Sequence, residues 1–322
     1  MIMLKRSYPL RALSAKKLLR RIPPYHAIRQ PIEDLFHRED AGYWGEKALD
    51  YYLSFLSDDE YYIFQHIRLK YKKWTFQIDF LLLTTKFALI IEAKNYTATL
   101  KFESQFSQLI QTQNDKEKSY DDPIEQVKRQ QSLLTKWLKK YTTINLPIHH
   151  LVVISNPNAI LKTDPDNKEV LKKVCKPYKL LDKINQLEIA HQKEMVTVQE
   201  LRKTSKILRR HHTPEEFNIL EHFKISIEEI PTGVICDKCG ALPMKYQKGK
   251  WFCQSCQTYS KTVYIESLDD YFYLIKASIT SSEFRRFLHI PTKDIAQKYL
   301  KKLNLPHTGN TKARVYHRKD LT

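Results

Sequence analysis

The sequence predicts an α/β domain over residues 39–156, and three observations carry that prediction. Two apolar runs, Phe76–Leu83 and Phe87–Ile91, are joined by Thr84-Thr85-Lys86, a connection short enough for an antiparallel hairpin. Apolar residues at helical spacing stand before the pair and again after it. A further apolar run, HHLVVIS, ends at Asn156-Pro157. The order helix, three strands, helix, strand describes one core between helices and a sheet.

Taken in chain order, residues 1–38 read as a basic extension with little core potential. From Glu39 to Leu56 a helix is expected, because Leu49, Tyr52 and Leu56 repeat at helical spacing beside Trp44 and Ala48. The run YYIFQHIRL, from Tyr61, is rich in β-favouring residues and reads as a strand. The next two runs are unbroken in their apolar character, which fits strands buried on both faces. Residues 97–121, rich in Gln, Lys and Asp, carry no clear period. Asp122 can cap a helix, Pro123 suits its first position and Glu125 completes a capping box. Residues 157–230 read as a helical, charged linker region with a capped start at Thr213-Pro214-Glu215-Glu216. Residues 231–266 and 267–322 read as two more small units.

The chain of 322 residues carries 54 basic and 36 acidic side chains, a formal charge of +18. Such an excess favours a polyanionic partner. The charge is uneven: no acid precedes Glu33, and Asp294 is the sole acid between Arg285 and Lys319. No stretch has the apolar length of a membrane span, and the basic N-terminus lacks the apolar core of a secretory signal. Its leucines, Leu4, Leu10, Leu13, Leu18 and Leu19, interleave with cations, which leaves a nucleic-acid arm, a solvated extension and an amphipathic anchor open. With no export signal, the cysteine pattern points to metal binding in a reducing cytoplasm.

Asp79 lies within the first apolar run, and Glu92 and Lys94 close the second. Two carboxylates and a lysine at the ends of adjacent strands can hold a divalent metal and a water against a phosphodiester. Mg²⁺ or Mn²⁺ would take oxygen ligands from Asp79, Glu92 and the Ala93 carbonyl. Glu92 and Lys94, two apart on a strand, leave the same face. A plain ion pair of Lys94 with Glu92 or Asp79 at a strand end satisfies the same local pattern.

Gly42-Tyr43-Trp44-Gly45-Glu46 opens the first helix, the hairpin carries Asp79, Glu92, Lys94 and Asn95, and the capped helix bears Pro123 and Gln126. Together these residues resemble the nuclease-related domain NERD, a branch of the PD-(D/E)XK restriction-endonuclease-like superfamily, over about residues 40–155. The resemblance implies a restriction-endonuclease-like mixed sheet flanked by helices. It implies Asp79 and Glu92 as metal carboxylates and Lys94 as the catalytic lysine. Glu46 would be the acid of the first helix, and Gln126 the glutamine near the substrate phosphate. The glycine usual soon after the lysine is missing, and Asn95 leads into Tyr96-Thr97-Ala98-Thr99. Glu46 also reads as an exposed first-turn acid favoured by the helix dipole. Gln130 reads as part of a solvated face, and His66, His149 and His150 as packing or edge histidines.

Cys236-Asp-Lys-Cys239 and Cys253-Gln-Ser-Cys256 are two CxxC knuckles around a thirteen-residue spacer. Four thiolates at this spacing close a tetrahedral Zn²⁺ site with no open position, so the metal would be structural. The segment resembles a zinc ribbon; four reduced cysteines without metal are the alternative. Lys245, Lys248, Lys250 and Lys261 with Tyr246, Trp251 and Tyr259 make either a cationic stacking surface or a solvated rim.

Ser282–His289 and Thr292–Leu303 read as two short helices, and a basic hairpin follows from Thr308. That order looks like a small winged helix-turn-helix, with Lys293, Gln297, Lys301 and Lys302 on the groove-facing helix and Lys312 and Arg314 on the wing. A helical hairpin packed on the ribbon is the other reading. The sequence thus points to a metal-dependent nuclease with accessory nucleic-acid-binding modules. The family resemblance and the winged-helix reading favour DNA. A non-catalytic binder that keeps the nuclease fold is the alternative, and a zinc-stabilised scaffold for a protein partner is a third.

Overall fold

The computed structural model describes residues 1–310 and 313–319. The first half of the chain runs β1 (Ile2–Leu4), α1 (Leu10–Arg21), α2 (Arg29–Leu53), β2 (Tyr62–Tyr71), β3 (Trp74–Leu83), β4 (Ala88–Lys94), β5 (Thr99–Glu103), β6 (Gln108–Gln113), β7 (Lys116–Asp121), α3 (Pro123–Tyr141) and β8 (Ile148–Ile154). It continues with β9 (Ile160–Thr163), α4 (Lys168–Lys173), β10 (Val174–Cys175), α5 (Leu180–Ala190), α6 (Val198–His211) and α7 (Ile219–Phe223). The last part is β11 (Lys245–Gln247), β12 (Lys250–Phe252), β13 (Tyr259–Ser260), α8 (Tyr264–Leu274), β14 (Ser278–Thr280), α9 (Ser281–Phe287), α10 (Lys293–Leu303), β15 (His307–Thr308) and β16 (Val315–His317). Two compact units result. Met1–Ser7 with Ala41–Glu215 form the first, and Tyr8–Asp40 with Glu216–Thr322 the second.

Among the described residues, the first unit is built on a mixed sheet in the order β1-β2-β3-β4-β8-β10. β2, β3 and β4 are antiparallel, while β1, β8 and β10 each join parallel. Helices α3 and α6 cover one face, packing Trp137 and Leu201 with Ile90 and Val152. Helices α2 and α5 cover the other, packing Leu49 and Ile184 with Leu89, Ile91 and Val153. Burial on both faces explains why these strands read as continuous apolar runs. Residues 97–121, aperiodic in sequence, form β5, β6 and β7, which with β9 make a second sheet in the order β7-β6-β5-β9. Its buried residues Leu100, Phe102 and Leu109 join the core on the α3 side.

Several expectations need correction. Residues 1–38 are not a coreless extension: β1 pairs with β2, and Ala12, Ala15, Leu18, Ile22, Ile32 and Leu35 are buried. Helix α2 starts at Arg29 rather than Glu39, because Ile32 and Leu35 extend its buried stripe. Asp122 does cap α3, accepting from the Ile124 amide, but Glu125 pairs with Lys128 and closes no capping box. Thr213–Glu216 is not helical, and it is held to β2 by Thr213 N donating to Arg68 O and by Arg68 donating to Pro214 O. The helix there begins after Asn218, whose side chain accepts from the Leu220 and Glu221 amides. Residues 157–215 are not a linker, since β9 and β10 complete the two sheets.

In the second unit, α1, α7 and α8 contribute Ala15, Leu18, Ile219, Leu220 and Leu274 to one cluster. Arg21 is buried and pairs with Asp270 at 2.9 Å, and it also donates to the Pro231, Gly233 and Ser267 carbonyls. Those bonds satisfy a cation that would be unfavourable to bury alone. The ribbon strands β11-β12-β13 and the tail sheet β14-β16-β15 share a second core of Trp251, Tyr264, Phe284, Tyr299 and Tyr316. The ribbon and the tail, expected as separate units, are therefore one packed body. The two helices and the following hairpin form as expected, with β14 adding a strand beside β16.

Candidate active site

The β3–β4 register pairs Phe80 with Ile91, so Asp79 and Glu92 fall side by side at the next step. Asp79 Oδ2 accepts from the Ala93 amide at 2.9 Å. Glu92 Oε1 accepts from Lys94 Nζ at 2.6 Å and from Gln126 Nε2 at 2.6 Å. Its Oε2 accepts from Gln130 Nε2 at 2.9 Å. Lys94 also donates to Gln126 Oε1 at 2.9 Å. Gln126 and Gln130, one turn apart near the start of α3, thus hold both oxygens of Glu92 from one helix face. Asp79, Glu92, Lys94 and Gln126 are thus gathered at the adjoining parts of β3, β4 and α3.

Asp79 reaches this place through an irregularity. On β2 the residues of the α3-side core run Tyr62, Phe64, then Ile67 and Leu69; on β3 they run Phe76, Ile78, then Leu81 and Leu83. The two-residue alternation slips by one on both strands, at His66 and at Asp79 opposite it. His66 has φ of +57°, a conformation that costs about 1 kcal/mol or more outside glycine and tends to mark functional sites. Its Nδ1 lies 3.6 Å from Glu46 Oε2, so His66 is a member of the pocket rather than an edge histidine. His149 and His150 fit their packing reading; burial pushes both down to about 4.

Glu46 lies in the middle of α2, with its side chain 14% exposed, so it is not an exposed first-turn acid. Its Oε2 is buried without a hydrogen-bond partner and faces Arg6 Nη1 at 3.7 Å. Arg6 donates to Asp50 Oδ1 at 2.5 Å and lies over the Phe80 ring. The helix comes close because residue 45 is glycine: a Cβ there would lie 2.5 Å from Asn95 Cβ and 2.9 Å from Ser155 Oγ.

Burial pushes Asp79 up to about 6, reinforced by the charge of Glu46 and opposed by Lys94 and the Ala93 amide. Burial pushes Glu92 up to about 7, with the charge of Asp79 adding to it. Burial works against the Lys94 ammonium, but Glu92 and Asp79 outweigh it and the net shift is upward. Carboxylates that burial and mutual repulsion both disfavour are relieved by a cation. These acids and the unbonded oxygen of Glu46 are hard-oxygen donors of the chemical type that Mg²⁺ or Mn²⁺ takes. The Ala93 amide, bonded to Asp79, fixes the backbone at that point.

Gln130 is buried and holds Glu92, which corrects its reading as a solvated residue. A signal was present: Gln130 falls in the apolar stripe Val127, Leu134 and Leu138, where a polar side chain needs an internal partner. Arg6 and His66 had no such signal, because their partners lie on other elements.

The four cysteine sulfurs lie within 4.8 Å of one another, a cluster able to hold a metal ion such as Zn²⁺. Gly240, at φ of +74°, donates its amide to Cys236 O and closes the first knuckle. Among the described residues, Glu46, Asp79 and Glu92 do not draw together that tightly. Trp251 is fully buried edge-on to Tyr246, so it is no part of a stacking surface; Tyr259 is exposed with Lys250 beside it. On α10, Lys293, Gln297, Lys301 and Lys302 are exposed opposite buried Ala296, Tyr299 and Leu300. Lys312 lies outside the described residues, and Arg314 is half-buried with its Nε enclosed, which does not suit a freely presented wing cation.

Residues 41–155 match the family model of the nuclease-related domain. No curated protein and no solved structure matches the chain. No helix among the described residues is long and apolar enough to cross a membrane.

Proposed function

From the premise that the chain carries a nuclease-related domain, we propose that it is a metal-dependent nuclease hydrolysing phosphodiester bonds, with DNA as the preferred substrate. The observation that carries this reading is the convergence of Asp79, Glu92 and Lys94 in one buried pocket with Gln126. Asp79 and Glu92 would hold Mg²⁺ or Mn²⁺, with Glu46 as a further acid. When bound, that ion offsets phosphate charge and makes water more acidic. Lys94 keeps its proton, since its two acidic neighbours stabilise the ammonium, and it offers that charge to the substrate phosphate or orients the attacking water. Gln126 bridges Glu92 and Lys94 and sets their separation. Gln130 fixes the second oxygen of Glu92.

The exposed lysines of α10 in the second unit would add sequence-independent grip on the nucleic-acid backbone. The cysteine cluster would hold a structural Zn²⁺, which suits a reducing compartment such as the cytoplasm. One observation favours a non-catalytic binder instead: both oxygens of Glu92 already accept hydrogen bonds within the chain, as a purely structural lock would require.

The deciding experiment is cleavage of single-stranded DNA, duplex DNA and RNA by purified protein with and without Mg²⁺ or Mn²⁺. Asp79→Ala and Lys94→Ala should each lower the rate by roughly 10²-fold or more while circular dichroism stays unchanged. Undiminished cleavage by Asp79→Ala would reject the site. Metal-independent binding without any cleavage would favour the binder.

A further inference from the structure

Residues 97–121, which no sequence motif claims, fold beside the carboxylate pocket. Tyr96 follows Lys94 after Asn95, and it packs on Tyr120 of β7 with ring centroids 4.8 Å apart. Lys118, two residues earlier on β7, places its ammonium 5.0 Å from the Tyr120 ring centroid. Gln111, opposite Lys118 in register, donates to Thr97 O at 2.9 Å and accepts from the Tyr120 hydroxyl at 3.0 Å. The β6–β7 hairpin is thereby fastened by its side chains to the segment that leaves the pocket. From Lys94, a step of two residues along the chain reaches Tyr96, and its stacking on Tyr120 leads on to Lys118.

Charge is sorted across this hairpin. Strand alternation puts Lys116, Lys118 and Tyr120 on the face of Leu109 and Gln111, and Glu117 and Asp121 on the other. Leu109 is buried in the core with Tyr120 packed against it, so the lysine face is the one turned toward the domain at its base. Lys116 and Lys118 themselves are exposed. Lys94 at one end and Lys118 at the other of a stacked Tyr96–Tyr120 pair match a ligand with charges repeated along its length and planar groups between them, which is the pattern of a nucleotide strand.

We propose that the β6–β7 hairpin is the second wall of the substrate groove, and that Lys118 binds a nucleic-acid backbone phosphate neighbouring the one presented to Lys94. The proposal rests on the nuclease reading for the position of the scissile phosphate. It assigns a role to the stretch where the usual glycine after the lysine is missing: Tyr96 and Thr97 are there to anchor the hairpin.

The test is binding of a fluorescent oligonucleotide, single-stranded and duplex, across a salt series. The Asp79→Ala background serves as parent so that the probe stays intact. Lys118→Gln should lower the slope of log K against log salt by about 0.7–0.9, the loss of one phosphate contact. Lys118→Arg should restore it. Lys101→Gln, on the opposite face of the same sheet and paired with Asp164, should leave the slope unchanged. In the otherwise native protein, Lys118→Gln should raise KM several-fold with little change in kcat. An unchanged slope in Lys118→Gln, an equal fall in Lys101→Gln, or no binding by the parent overturns the proposal. A fallen slope in a protein that cleaves nothing supports the groove wall and refutes the nuclease. Cleavage with an unchanged slope does the reverse.

Discussion

The two candidate metal centres of this chain are built on opposite plans. The cysteine centre takes its four donors from one stretch between Cys236 and Cys256, and its sulfurs lie within 4.8 Å of one another. The carboxylate centre takes Glu46 from α2, Asp79 from β3 and Glu92 from β4, and wider spacing separates its acids. In the first, the sulfurs touch one another and the Thr258 hydroxyl, with no cation among the described residues beside them to hold thiolate charge, so a bound metal would supply much of the folding free energy of the knot. In the second, Lys94, Gln126, Gln130, Arg6 and His66 already surround the buried acids and hold them in place. Withdrawing metal should therefore dismantle one centre and leave the other standing.

The largest expected effect follows directly. Cys253 is buried in the same core as Trp251 and Tyr264, so losing the knot exposes the centre of the second unit. Cys253→Ser, or strong chelation, should abolish the cooperative unfolding of that unit, since a structural zinc site contributes on the order of 10 kcal/mol. Differential scanning calorimetry reads this. An unchanged transition in the zinc-free protein would erase the contrast between the centres.

A smaller effect is expected at Gln130. Gln130→Leu leaves Oε2 of Glu92 without its donor in a buried place. Cleavage and Mn²⁺ affinity should fall about 10- to 100-fold, as for other groups that orient a metal ligand. The fold should lose about 1–3 kcal/mol for the unsatisfied oxygen. Rates and calorimetric titration of Mn²⁺ into zinc-loaded protein check both. If Gln130→Leu matches the parent, Glu92 is not held from α3 in any way that matters.

Acidity sharpens the comparison next. Protons compete with the cation for Asp79 and Glu92, which burial has pushed up to about 6 and about 7. Mn²⁺ affinity should begin to fall as pH drops through 7 and should weaken about tenfold or more per unit below 6. Ordinary exposed carboxylates would hold their affinity to about pH 5. Titrations between pH 8 and 5.5 separate these outcomes.

How much of each centre could be read in the sequence follows from the same contrast. The cysteine knuckles are local, and their spacing alone implies a metal. Asp79, Glu92 and Lys94 were legible because a short connection of four residues, 84–87, forces β3 against β4. Gln126 was legible through the family pattern. Arg6 and His66 were not, because Arg6 arrives beside a strand far along the chain and His66 depends on a slip in alternation. In the fold, the buried strands and α3 carried strong patterns, whereas β5, β6 and β7 hide a single buried row, Leu100, Phe102 and Leu109, among exposed polar residues. The first 38 residues were misread because their buried alanines and leucines are thinly spread between cations.

The smallest expected effect concerns stability without the divalent ion. A carboxyl whose folded pKa is raised weakens folding when it ionises, because the folded chain prefers the protonated form. For Asp79 that penalty grows between the ordinary carboxylate range near 4 and the shifted value of about 6, and is complete above it. Zinc-loaded, Mg²⁺-free protein should therefore gain stability in its first unit as pH falls from 8 toward 5. Asp79→Asn keeps an oxygen for the Ala93 amide and removes the charge, so at pH 8 it should be more stable by on the order of 1–2 kcal/mol, and the pH-dependent gain should shrink. Urea unfolding at both pH values measures the difference. A variant less stable than the parent at pH 8 would mean that Lys94 compensates Asp79 fully. The pocket would then be a settled ion-pair network, and the contrast with the cysteine centre would lose its physical basis.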